Sequence, residues 1–156
     1  MNIGMKSILV LIVLFALIAC SDDTSENNDY IVFGRYFGMC GGDCFEVFKL
    51  SDGEMLEDTV VKYYMENYSF NSSIQYSDGL YQYAMNLLET VPSELMTGEV
   101  VELGCPDCYD QGGFYLSINK EGEISTYTID PAETPDQSLD VLNYKANVAL
   151  VLDSLN

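Results

Sequence analysis

Histidine and tryptophan are both missing from the 156 residues of this chain. Without histidine there is no usual general base, no Ser-His-Asp or Cys-His arrangement and no histidine-containing zinc site. Without tryptophan the case for a sugar-processing cleft weakens. Bases are scarce as well, with six lysines and arginines against 25 acids and a net charge of −19. Such a charge repels phosphate backbones, which excludes nucleic acid as a partner, and it opposes lying flat on anionic lipid. No apolar run reaches the roughly 18 residues that a membrane-spanning helix needs. What is left for chemistry is carboxylates, tyrosines, a few bases and cysteines.

The longest apolar run, Ile8 to Ala19, follows Lys6 and matches the core of an export signal over residues 1–19. It ends at Cys20. The stretch Leu17-Ile18-Ala19-Cys20 resembles a bacterial lipobox. That resemblance implies cleavage before Cys20, which then becomes the first residue of the mature chain and carries the lipid. Several acyl chains on one cysteine hold far more firmly than one, since each buried methylene adds about 0.8 kcal/mol. Ser21 stands where an inner-membrane retention signal has aspartate, and Ser21, Asp22 and Asp23 resemble the short acidic signal that sends some lipoproteins to the outer face of the outer membrane. Residues 20–29 then read as the lipidated cysteine and an acidic, solvated tether. The mature chain keeps five bases against 25 acids, about −20.

Residues 30–156 read as one α+β domain. Strands are expected at Tyr30–Phe37, Phe45–Leu50, Thr59–Tyr64 and Glu99–Leu103, and a hairpin pairs Phe114–Asn119 with Glu123–Ile129. A helix carries Leu80, Ala84, Leu87, Leu88 and Val91 on one face and stops at Pro92. A second helix begins after the candidate cap Ser138, with Leu139, Leu142, Ala146, Ala149 and Leu150 as its buried stripe. The expectation is an antiparallel sheet of about five or six strands with two helices packed on one face.

The remaining four cysteines form two short motifs, Cys40-x3-Cys44 and Cys105-Pro-Asp-Cys108. They could make a four-thiolate zinc site if the loops met, but outside the inner membrane disulfides are the expected state. Local pairing is favoured: Cys40 and Cys44 flank a short loop between two strands, where facing Cα atoms lie within disulfide range, and Gly41 and Gly42 allow the turn. The alternative joins the two loops, for example Cys40 to Cys105. The Cys105 motif also looks like the C-P-x-C sites of the thioredoxin superfamily, in which a helix N-terminus activates the first thiol. Here a strand and two glycines follow instead, so a structural role ranks above redox catalysis.

The stretches from Phe37 to Gly53 and from Gly104 to Ile118 resemble blocks of small, functionally uncharacterised bacterial lipoproteins. The resemblance implies no activity and no catalytic residue. Two weaker binding readings stand beside it. One is a tyrosine platform around Tyr63, Tyr64, Tyr68, Tyr76, Tyr81 and Tyr83 for a protein or glycan. The other is a calcium site at Asp43, Asp107 and Asp110, carboxylates in glycine-bearing loops. The sequence therefore leads to a lipid-anchored, non-enzymatic lipoprotein of the outer membrane or cell surface with a binding or structural role, no cofactor and no resident metal, and an unidentified protein or glycan as its partner.

Overall fold

The computed structural model describes residues 29–42, 44–59, 70, 73–76 and 78–155. Among these, the chain runs β1 (Tyr30–Tyr36), β2 (Phe45–Ser51), β3 (Glu54–Asp58), β4 (Ser73–Gln75), α1 (Asp78–Glu89), a 3-10 turn (Ser93–Leu95), β5 (Val100–Leu103), β6 (Gly113–Lys120), β7 (Glu123–Ile129) and α2 (Leu139–Leu155). The seven strands form one sheet in the order β4-β3-β2-β1-β6-β7-β5. The α+β expectation holds; the strand count is higher than expected and the sheet is mixed. Its one parallel pair is β5 with β7. The loop from β5 to β6 steps over the place that β7 later fills, so the β6–β7 hairpin inserts β7 antiparallel to β6 and parallel to β5.

The third strand also starts earlier than the sequence reading put it. Gly53, with φ at +85°, lets the chain reverse at once, and Glu54–Asp58 pairs back on β2. Three acids among five residues hid this strand from a hydrophobic pattern, although Met55 at its second position is wholly buried. Of the expected strand Thr59–Tyr64, residues 60–64 lie outside the described residues.

β1 is central, and both its faces are covered. Ile31 and Phe33 point with Phe48, Leu50, Leu116 and Ile118 into the main core. Ala84 and Leu87 of α1 and Val141, Tyr144 and Val148 of α2 join the same cluster, so both helices pack on this face. Val32, Tyr36, Val47 and Tyr115 form a smaller cluster on the opposite face. Tyr144 also donates its hydroxyl to the Leu87 carbonyl at 2.9 Å, tying the helices together.

Ser138 caps α2 as expected, its hydroxyl oxygen accepting the Val141 amide at 3.2 Å. The buried stripe of α2 is corrected, however. Val141, Tyr144, Lys145, Val148, Val151 and Leu152 face inward. Leu139 and Leu150 are 71% and 58% exposed, and Ala146 is exposed as well. The expected stripe holds Leu139, Ala146 and Leu150, which are exposed, and leaves out Lys145, which is buried. The helix is rotated from that expectation because Lys145 has its acceptors on the inner side.

Candidate functional site

β1 ends at Tyr36, opposite the start of β2 at Phe45 and of β6 at Gly113. β5 and β7 end beside them at Leu103 and Ile129. Three loops, 37–44, 104–112 and 130–138, therefore emerge at one end of the sheet, and all four described cysteines lie in them.

Cys40 is bridged to Cys44 and Cys105 to Cys108, with Cα separations of 5.7 and 5.5 Å. This is the local pairing, and Cys40 and Cys44 lie in the β1–β2 hairpin, but not at the ends of a tight three-residue loop. The Cys40–Cys44 ring sits in the outer part of a longer loop, closed at its base where the Phe37 amide donates to the Cys44 carbonyl at 3.0 Å. Gly41 and Gly42 are not the glycines this end requires: neither takes a positive φ, and a Cβ on either would meet nothing. Gly38 and Gly112 are. A Cβ on Gly38 would lie 1.6 Å from the Asp107 carboxylate, and one on Gly112, at φ +74°, would lie 1.9 Å from the Tyr36 carbonyl oxygen.

The two rings meet through a carboxylate and not through sulfur. Asp107 Oδ1 accepts the Gly38 amide at 3.2 Å and the Gly112 amide at 2.9 Å. The Asp107 amide in turn donates to the Gly112 carbonyl at 3.0 Å. Asp107 itself takes φ at 63°, a left-handed conformation that aspartate tolerates better than most residues. A residue chosen from the sequence as a cation ligand thus has its carboxylate engaged by backbone amides. Asp110 is exposed nearby, Asp43 lies outside the described residues, and among the described residues no three thiol or carboxylate groups converge on a point that would hold a metal ion.

The third loop braces the second. Asp130 Oδ2 accepts the Cys105 amide at 3.0 Å, and Asp136 Oδ2 accepts the Gly104 amide at 2.7 Å. Hydrogen bonds from Thr134 and from the Gly104 amide hold the Asp136 carboxyl below the usual carboxylate range. Lys145 reaches up from α2 beneath this loop. Its ammonium donates to the carbonyls of Asp130 at 2.9 Å, Pro131 at 3.2 Å and Ala132 at 2.9 Å, and to Gln137 Oε1 at 2.6 Å. Burial pushes the Lys145 pKa down, and the charges of Asp130 and Glu133 oppose that fall.

No helix begins at Cys105. The ring closes in a turn, with the Cys108 amide donating to the Cys105 carbonyl at 3.3 Å, and the chain then enters β6. The Cys105 amide donates to the Asp130 carboxylate, so a negative group lies beside the residue at which a redox site places a positive helix end. Beside the rings stand Phe37, Met39 and Tyr109, which are 47%, 80% and 89% exposed.

The tyrosines divide. Tyr63, Tyr64 and Tyr68 lie outside the described residues. Tyr76 stacks edge-on against Phe48 and donates to Glu57, Tyr81 accepts the Gly53 amide at 2.7 Å, and Tyr83 is exposed. Burial, followed by the charges of Asp107, Glu102 and Asp130, pushes Tyr36 up to about 12. Tyr76 is pushed to about 12 by burial and its bond to Glu57, while burial raises Tyr115 and Tyr144 too.

These shifts have one sign. A folded-state value above the unfolded one means that the fold retains protons the unfolded chain has released, so the stabilisation is complete below about pH 10 and is lost as pH climbs from about 10 toward 12. Within that window the tyrosines are expected to lower the melting temperature, a buried one such as Tyr36 removing up to about 1.4 kcal/mol per pH unit. Tyrosinate absorbance checks this. If the tyrosines all ionise near pH 10 while the protein is still folded, the expectation fails.

The sequence reading missed Gly38, Gly112, Asp130, Asp136, Gln137 and Lys145. The usable signal was the position of Lys145 on α2, four residues after Val141 and three before Val148, which is the spacing of one helix face. No protein-family model matches the chain and no curated protein matches it, so its functional reading rests on the geometry above.

Proposed function

We propose that this chain is a lipid-anchored lipoprotein of the outer membrane, displayed on the cell surface, with a non-catalytic binding role carried by the double-ring end of its sheet. Cys20 carries the lipid, Ser21, Asp22 and Asp23 direct export, and the acidic stretch up to Asp29 spaces the domain from the membrane. The observation that carries the binding reading is the way Asp107 locks two disulfide rings side by side. Pre-organised loops lose little conformational freedom on binding, and here they surround the exposed Phe37, Met39 and Tyr109. Such aromatic and methionine side chains are the types enriched at protein interfaces.

The test compares the full chain with Cys20→Ser and Cys105→Ser variants. Cys20→Ser is expected to lose its acyl mass and leave the membrane fraction. Neither the full chain nor Cys105→Ser is expected to catalyse reduction of insulin by dithiothreitol. Acylated, membrane-bound Cys20→Ser protein would sink the anchor, and insulin reduction that disappears with Cys105→Ser would make the protein a thiol-disulfide exchanger.

A further inference from the structure

The opposite end of the sheet carries a cleft. Here the β2–β3 turn, the start of β1 and the β6–β7 turn lie side by side, with the C-terminal half of α1 and the segment after it across from them. The space between is about 330 Å³. A neighbouring hollow of about 390 Å³ shares Met96 and Lys120 with it, so the two form one groove.

Its floor and rim differ in chemistry. Met85, Leu88, Val91, Met96 and Ile118 supply an apolar floor in which two of the five side chains are methionines, flexible and adaptable to more than one shape. Asp52, Glu89, Glu121 and Glu123 stand exposed around it. The base among the lining residues, Lys120, is ion-paired with Asp29, and the other described bases are engaged elsewhere. Arg35 meets Asp153 at 2.7 Å, Lys49 lies over Tyr30, and Lys145 is buried under the third loop. The last turn of α1 carries no base, so the negative end of its dipole also reaches the groove uncompensated.

We infer that this groove docks a peptide segment of a partner protein in which lysines or arginines alternate with apolar side chains. The apolar side chains seat on the methionine floor and the bases reach the rim. From β2 across β1 and β6 to β7 is three interstrand steps, roughly 14 Å, the length of about four extended residues. The chain's own N-terminal stretch is a poor occupant, since Ser21 to Asn28 brings Asp22, Asp23 and Glu26 and no base into an acidic groove.

The probe is a fluorescein-labelled Lys-Leu-Lys-Leu-Lys-Leu peptide, followed by anisotropy with the full chain. Saturable one-to-one binding is expected, weakening as salt rises. A Lys-Ser-Lys-Ser-Lys-Ser peptide is expected to bind at least about tenfold more weakly, as is the leucine peptide to the Glu89→Lys, Glu123→Lys double variant. The Glu102→Lys, Glu133→Lys double variant makes the same change in net charge at the other end of the sheet, and it is expected to bind like the wild type. Absence of binding, equal affinity for the serine peptide, or equal losses in the two double variants would each overturn the inference. Equal losses would mean that only the overall charge attracts the peptide.

Discussion

Replacing Lys145 with methionine is expected to destabilise the domain by about 3 kcal/mol, since a buried ammonium whose hydrogen bonds satisfy several acceptors is removed and the acceptors stay. Methionine fills much of the lysine stem's volume, so cavity formation is a small part of the loss. The orphaned groups are the carbonyls of Asp130, Pro131 and Ala132 and the Gln137 side chain. For a domain of this size the melting temperature is expected to fall by about 10 °C. The loss should also be local before it is global. Asp130 accepts the Cys105 amide, and that amide should exchange with solvent faster in the variant, along with that of Gly104 on Asp136. Lys120→Met is the companion measurement. Lys120 is exposed and its partner Asp29 raises its pKa, yet a surface ion pair is worth only up to about 1 kcal/mol. A melting temperature for Lys145→Met as high as that for Lys120→Met would show that Lys145 does not hold the loop.

Lys145 also shows where the sequence stopped being legible. The strands β1, β2, β6 and β7 stand within a residue or two of their expected places, because aromatic and β-branched residues at alternating positions have one physical solution in a two-sided sheet. α1 was legible for the same reason, with Ala84 and Leu87 on the expected face. A hydropathy stripe fails on α2 because it assigns lysine to water before asking what lies beneath it. Four acceptors converging from a loop at least eight residues away in sequence are a tertiary fact. β3 fails in a related way, its acids masking Met55. The parallel β5–β7 pair was illegible because it depends on which gap in the sheet the last strand fills, not on any property of β5.

The site was half legible. The compartment argument and the short spacings gave the two rings, and Asp107 stood out as a loop carboxylate. Its role as the acceptor that joins the loops did not, because the Gly38 amide is 69 positions away. Glycine was read at the wrong positions for the same reason. Gly41 and Gly42 sit inside a ring and look indispensable in one dimension, whereas the crowding at Gly38 and Gly112 comes from distant chain.

Gly112→Ala turns that distinction into a measurement. At φ +74° an alanine pays a left-handed penalty of about 1–2 kcal/mol, and its Cβ would be driven to 1.9 Å from the Tyr36 carbonyl oxygen. That oxygen belongs to the last residue of a central strand paired on both sides, so it has little room to retreat. Relief requires Gly112 to swing away, and its amide then leaves Asp107 Oδ1. Strain and overpacking together are expected to cost about 3 kcal/mol. Gly41→Ala, which has open space and an ordinary φ, is expected to change stability by less than about 0.5 kcal/mol. The two variants add the same methyl group to the same end of the molecule, so chemical denaturation of both isolates position from composition. Equal stabilities would mean that the two ring-bearing loops are not packed as described. A large loss confined to Gly112→Ala, with faster exchange of the Gly38 amide, would establish that the Asp107 clasp orders both rings together.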